Sequence, residues 1–297
     1  MNENKKCVFV SILGKPNVGK SSLLNMLVNS KISIVSPKSQ TTRNRVTGIL
    51  TENNTQLIFI DTPGIHKSVT KLGDYMNSEV NNSFSGSEVC LHVIEAGKKI
   101  SELDLELIQK FIKLRLSVIL VINKIDLTKD KSELIKQIQE FNENFEYNSI
   151  VPVSAKTQDG RNELLSEIKK FAVPSVFYYS EDEITDQTER KLASEIIREK
   201  ILYFLDKELP HGTGIYIENY KEIKNNTRNI HAVIYCDRES HKKIIIGAQG
   251  QMIKKIGTEA RKSLEYILDC KVNLNLFVKV KEDWRNKDSV LKILGYI

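Results

Sequence analysis

The sequence predicts an α/β domain with a doubly wound, mostly parallel sheet, followed by a smaller α+β domain. Three observations carry this. Short runs rich in Val, Ile and Leu alternate with segments whose apolar residues recur at helical spacing, the pattern of buried parallel strands joined by helical crossovers. The glycine-rich stretch Gly14-Lys-Pro-Asn-Val-Gly19-Lys20-Ser21 stands between the first such run, 8–13, and a helical segment starting near Ser21. Beyond an aperiodic stretch at 174–186, the rest reads as helix, two strands, two helices and a strand. The expected organisation is therefore a first domain at 1–173, a linker at 174–186 and a second domain at 187–297.

Composition agrees with two globular domains. The 297 residues are 40% hydrophobic and 28% charged, ordinary values for a water-exposed fold with an apolar core. Of the net charge of +6, residues 186–297 hold +5, from 21 Lys and Arg against 16 Asp and Glu. That imbalance points to a polyanionic partner for the second domain. Cys7, Cys90, Cys236 and Cys270 are scattered without Cys-x-x-Cys spacing, as expected in a reducing compartment. Residues 1–6 lead straight into the first strand and leave no room for a cleavable export signal. No run reaches 18 uncharged apolar residues, so no span of a membrane is expected.

In order, the first strand delivers the stretch 14–21. Strand, glycine-rich loop and helix form the context in which Gly-x-x-x-x-Gly-Lys-Ser cradles phosphates. The backbone N–H groups of Gly14, Asn17, Val18, Gly19, Lys20, Ser21 and Ser22 would surround the phosphates. Lys20 would reach the β- and γ-phosphates, and Ser21 would take a position on magnesium. The β-branched run 31–35 and the polar run 36–43 follow, where Thr41 and Thr42 both have the chemistry to complete a magnesium shell. Strands at 46–50 and 56–60 are joined too tightly for a crossover and must be antiparallel. The second ends in Asp61-Thr62-Pro63-Gly64, with Asp61 placed to hold magnesium through a water and Gly64 to bring its N–H to the γ-phosphate. Residues 65–87 read as a second switch followed by a helix. The strand 89–94 makes His92 a strand residue rather than a ligand or base.

After the helical segment 101–115, strand 117–122 ends in Asn123-Lys124-Ile-Asp126. The Asp126 carboxylate would accept hydrogen bonds from the guanine ring N–H and exocyclic amine, a pair that adenine does not offer. Asn123 would tie this loop to the phosphate loop and the stem of Lys124 would cover the base. Ser154-Ala155-Lys156, after a strand at 149–153, offers backbone N–H groups to guanine O6. A helix at 162–170 closes the domain.

In the second domain Asp186 is the expected N-cap of a helix over 187–206, with strands near 214–220 and 230–236. Then Gly247-Ala248-Gln249-Gly250 stands between two helices, flanked by Lys242, Lys243, Lys254 and Lys255. Such a turn lets a nucleic-acid backbone approach closely while a neighbouring apolar groove takes bases. A helix at 251–268 and a strand at 273–280 complete the order. Trp284, the only Trp, fits a packing anchor and a base platform equally.

Together, G-K-P-N-V-G-K-S-S at 14–22, S-Q-T-T-R at 39–43, D-T-P-G at 61–64, N-K-I-D at 123–126 and S-A-K at 154–156 resemble the bacterial Era family of GTPases. So do S-E-I-I-R-E-K at 194–200, E-L-P-H at 208–211 and I-I-G-A-Q-G-Q-M-I-K-K-I-G at 245–257. The resemblance covers essentially the whole chain. It implies a P-loop GTPase domain followed by a type II KH domain, and a guanine nucleotide switch on the 3′ end of 16S ribosomal RNA that assists maturation of the 30S subunit precursor. It implies Thr42 as the switch threonine on Mg2+. It leaves Asn17, where related GTPases carry an Asn that helps hold K+, as an open candidate for that role. It further implies a cytoplasmic monomer with peripheral association at the inner face of the membrane. Two departures stand out. Ala248 and Gln249 occupy positions where relatives often carry a Lys, and Gly212-Thr-Gly214 is less apolar than usual, so a loose start to the second sheet is expected.

The implied chemistry is in-line attack of water on the γ-phosphate. Lys20, Thr42 and Gly64 act by charge and position, and Ile65 after the Asp-Thr-Pro-Gly turn leaves no side-chain base. Slow intrinsic turnover follows. The competing reading is an RNA-binding assembly factor that uses GTP only as a conformational latch.

Overall fold

The computed structural model describes residues 5–297 except 39, 66, 67, 85, 129, 130, 207 and 208. The readings made on residues 1–4, Ser39 and Glu208 lie outside the described residues. The chain divides into two compact units, Met1–Lys67 with Met76–Asp186, and Ser68–Tyr75 with Gln187–Ile297.

In the first unit the runs read as strands become β1 (Lys6–Leu13), β2 (Val46–Glu52), β3 (Thr55–Asp61), β4 (Val89–Glu95), β5 (Val118–Asn123) and β6 (Ser149–Pro152). The helical segments become α1 (Lys20–Val28), α2 (Lys71–Ser83, whose residues up to Tyr75 group with the second unit), α3 (Glu102–Leu114), α4 (Lys131–Asn144) and α5 (Arg161–Lys169). The strand order is β2-β3-β1-β4-β5-β6. β1 runs parallel to β3 and β4, β4 to β5 and β5 to β6, while β2 is antiparallel to β3 across the turn at 53–54.

The strands are apolar throughout because both faces are covered. Val8, Val10 and Ile12 of β1 join Leu91 and Val93 of β4 in one core, with α1 and α5 residues. The alternate positions Leu13, Cys90 and Ile94 enter a second core with Leu107, Ile108 and Phe111 of α3. β1 has β3 and β4 on opposite sides in the sheet, so a crevice opens at its carboxyl end, where open α/β sheets bind ligands.

Two stretches between the main elements are ordered by contacts from elsewhere in the unit. The run 31–35 makes no strand: Asn25 on α1 accepts from the N–H groups of Ile32 and Ser33 at 3.0 and 2.9 Å and donates to Ser33 O at 2.8 Å. Those backbone groups are satisfied without a ladder. Residues 174–186 are fastened along the first unit. Val173–Pro174 (β7) pairs with β1, Gln56 Oε1 accepts from the N–H groups of Tyr178 and Tyr179, and Ile49 N donates to Ile184 O at 2.9 Å.

The second unit contains α6 (Glu189–Phe204), β8 (Gly214–Ile223), β9 (Thr227–Cys236), α7 (Glu239–Ile246), α8 (Gln251–Leu268), β10 (Lys271–Val280) and α9 (Asp288–Ile293). Its sheet has the order β10-β9-β8, with β9 parallel to β10 and antiparallel to β8. The expected loose start of β8 is corrected. Trp284 is fully buried, donates from Nε1 to Gly212 O at 2.9 Å, and a Cβ on Gly214 would lie 3.2 Å from its ring. The glycines make room for the indole, so Trp284 is a packing anchor and not a base platform.

Asp186 is not the cap of the next helix either. Thr188 is, its side chain accepting from Lys191 N at 3.2 Å. Thr188→Ala should therefore destabilise the second unit by about 1 kcal/mol while Asp186→Ala changes it little, as read from denaturant unfolding followed by circular dichroism. Equal effects would remove the assignment.

Candidate nucleotide site and nucleic-acid surface

The crevice at the end of β1 is a cleft of about 320 Å³ lined by Pro16, Asn17, Gly19, Lys20, Ser21, Thr42, Gly64 and Lys124, among others. Its floor is the loop between β1 and α1. Gly19, at φ 97°, caps α1 in a left-handed conformation, and a Cβ there would stand 2.3 Å from Asn123 Nδ2. Only glycine fits both demands.

The loop carbonyls are met by side chains. Lys20 Nζ donates to Gly14 O at 2.9 Å and Lys15 O at 2.8 Å. Asn123 Nδ2 donates to Val18 O at 2.9 Å, the tie expected between the two loops. Lys124 Nζ donates to Asn17 O and pairs with Glu95, both at 2.7 Å. Burial pushes the Lys20 ammonium down to about 8 against the opposing attraction of Asp61.

At the start of α1 three oxygens converge. Ser21 Oγ donates to Asp61 Oδ2 at 2.7 Å, and Thr42 Oγ1 lies 2.7 Å from Ser21 Oγ. Thr41 instead donates to Lys38 O at 2.6 Å within its own loop, so the two threonines are told apart by where they face. Asp61 is fully buried. Burial raises its pKa, opposed by Lys20 and the hydroxyls of Ser21, Ser33 and Thr42. Its Oδ1 is buried without a hydrogen-bond partner. Hard oxygen donors with one unmet carboxylate oxygen suit a small divalent cation such as magnesium. Ser33, whose Oγ donates to Asp61 Oδ2 at 3.3 Å, has no motif and was missed from sequence.

On the base side, Ser154 Oγ donates to Asp126 Oδ1 at 2.7 Å and accepts from Thr157 N. Asn123 Oδ1 accepts from Lys124 N and Ala155 N at 2.8 and 3.1 Å. The residues 123–126 and 154–156, 28 positions apart at Asp126 and Ser154, thus form one structure. Thr62 Oγ1 donates to Ile12 O, which anchors the Asp-Thr-Pro-Gly turn to β1.

In the second unit the turn 247–250 joins α7 to α8, with Gly247, Gln249 and Gly250 at φ 75°, 49° and 77°. A groove runs between α8 and β10, lined by Ile253, Lys254, Thr258, Arg261, Asn273 and Asn275 with their neighbours. Of the four lysines singled out from sequence, Lys254 lines it. Lys255 instead lies over the Phe204 ring at 4.4 Å and Lys242 lies near Glu239 at 3.8 Å. Arg261, Asn273 and Asn275 escaped the sequence reading because they sit outside the Gly-x-x-Gly motif, on a helix and strand that only the fold brings together.

Comparison with known proteins agrees on both units. A family model described as 50S ribosome-binding GTPase matches residues 9–124, and one described as KH domain matches residues 200–285. GTPase Era of Ruminiclostridium cellulolyticum is 45% identical over 98% of this chain and 97% of its own length. That of Clostridium kluyveri is 44% identical over 98% and 99%. Among solved structures, Era in complex with MgGDPNP and nucleotides 1506–1542 of 16S ribosomal RNA is 40% identical, with a TM-score of 0.94 over 98% of this chain and 99% of that one. A variant of Aquifex aeolicus Era bound to GDP and aluminium fluoride is 41% identical at the same TM-score and coverage. Phosphate loop, guanine-type loop and KH turn thus occur in one chain with full-length relatives, and the chain belongs to the Era family of GTPases.

Proposed function

We propose that the chain is a GTP-hydrolysing switch that binds the 3′ end of 16S ribosomal RNA through its second unit and assists maturation of the 30S subunit. The observation that carries the enzymatic half is the convergence of the Ser21 and Thr42 hydroxyls with the Asp61 carboxylate beside the cleft that Lys20 lines. The RNA half is supported by the groove beside the 247–250 turn and by the relative whose solved complex contains that RNA segment.

In this reading the phosphates lie on the 14–21 loop, and Ser21, Thr42 and, through a water, Asp61 would hold magnesium, which when bound neutralises charge on the transferred phosphoryl group. Lys20 stabilises the charge that grows as water attacks the γ-phosphate in line, and Gly64 presents its N–H from the turn after β3. Ile65 packs against the apolar core and offers water no polar group. Turnover is therefore slow until RNA or a cation such as K+ at Asn17 orders the site. Asp126, steadied by Ser154, selects guanine. No helix among the described residues is long and apolar enough to cross a membrane. The reading places the protein in the cytoplasm as a monomer, with peripheral association at the inner membrane that co-sedimentation with lipid vesicles tests.

Asp126→Asn should lower GTP affinity by about a hundredfold or more and raise preference for xanthine nucleotides, measured by competitive nucleotide binding. Retained guanine preference would overturn the role given to that carboxylate. Hydrolysis by the isolated protein should be slow and should rise with potassium over sodium and with RNA from the 16S 3′ end. A turnover already fast and indifferent to all three would sink the proposed activation. In RNA titrations over a range of salt, Arg261→Ala should weaken binding and flatten the salt slope by about one unit, whereas Lys255→Ala should change neither. The reverse order would put the RNA outside the groove.

A further inference from the structure

The loop side chain that the proposed chemistry leaves without a part is Lys15. Its Nζ lies 2.7 Å from Asp104 Oδ2. Asp104 is the third residue of α3 and completely buried. The same Oδ2 accepts from Ser101 N at 2.9 Å and Ser101 Oγ at 2.8 Å. Its other oxygen faces His92 Nε2 at 3.6 Å. His92, fully buried in β4, meets the Tyr147 hydroxyl at 2.9 Å through Nδ1.

A capping box explains Ser101 and Asp104 as a helix start. It does not explain why the carboxylate is out of water, or why it receives an ammonium from the phosphate loop. Burial would raise the Asp104 pKa, but the His92 ring, the Lys15 ammonium and the Ser101 donors around it outweigh that and hold the carboxyl down at about 2. Burial lowers the pKa of His92, opposed by Asp104. The ring faces the carboxylate with Nε2 and the Tyr147 hydroxyl with Nδ1. Lys15 is thus the cation of a buried carboxylate, and losing either partner leaves a charge stranded.

We propose that Asp104 is a positioning residue for the phosphate loop: backed by His92 and Tyr147, it grips Lys15 and so sets the first half of the loop. The second half is gripped independently, at Asn17 O and Val18 O by Lys124 and Asn123. Between them Lys20 rests on the carbonyls of Gly14 and Lys15. Displacing Lys15 moves the seat of Lys20, and a shift of this kind in a phosphate cradle acts on binding and on turnover together. The inference rests on reading 14–21 as the phosphate loop.

The test is a double-mutant cycle on the full chain with Lys15→Met and Asp104→Asn, with Lys15→Arg as the conservative variant. Affinities for GDP and GTP, and kcat and KM for GTP, are measured beside thermal unfolding. Each single variant should lose about tenfold in affinity for both nucleotides and lower kcat. The double variant should lose no more than the worse single one, and Lys15→Arg should stay within about twofold of the parent. If Asp104→Asn fails to fold, Asp104→Glu takes its place in the cycle. Parent-like affinity and kcat in Lys15→Met, or losses that multiply in the double variant, would overturn the proposal and leave Asp104 a helix cap alone. A parent protein that binds no guanine nucleotide would overturn the phosphate-loop reading itself, a result the variants are not needed to see.

Discussion

A backbone loop that offers its N–H groups to an anion must find partners for its carbonyls, and the first unit is organised around supplying them. Gly14 O and Lys15 O take Lys20, Asn17 O takes Lys124 and Val18 O takes Asn123. Unmet carbonyls in this crevice would cost free energy comparable to lost hydrogen bonds. The donors therefore come from outside the turn as well as from its own helix. This requirement links three strand tips: β1 supplies the loop, β5 supplies Asn123 and Lys124, and β4 supplies Glu95 to hold Lys124.

The same logic places the acid of the site. Asp61 ends β3, beside β1 in parallel register, with Ile12 opposite it. That register carries the carboxylate to the start of α1, where Ser21 reaches it. A carboxylate so buried would be costly alone. Ser21, Ser33, Thr42 and Lys20 make it tolerable, and one carboxylate oxygen is left without a hydrogen-bond partner.

The second unit solves a different problem, an open three-stranded sheet with a groove beside α8 that keeps polar residues along its lining. β10 alternates exposed polar Asn273 and Asn275 with partly buried Leu274 and Leu276, and α8 turns Ile256, Ala260 and Leu264 inward. Amphipathic spacing, visible in the residues, made both elements legible. The groove was not, because Arg261 on α8 and Asn275 on β10 come to line it together only through the packing of α8 on β10. Likewise Trp284 and Gly214 are separated by 69 residues and explain each other only once the indole is seen against the glycine.

Most of the fold and the phosphate and guanine motifs were legible because they rest on local rules: apolar periodicity, a glycine-rich turn before a helix, polar groups at strand tips. Elsewhere a particular side chain or a distant contact decided. Thr188 caps α6 although Asp186 has the better-known chemistry, Asn25 bonds the backbone of 31–35, and the aperiodic 174–186 is ordered by β1, β2 and Gln56. Sequence alone determined which elements form and which residue types could meet a nucleotide. Tertiary structure decided which threonine faces Asp61, which basic residues line the groove, and that Lys15 answers a buried carboxylate on α3. Those outcomes depend on desolvation and on distances of a few ångströms between groups remote in the chain, and neither is written in a local pattern.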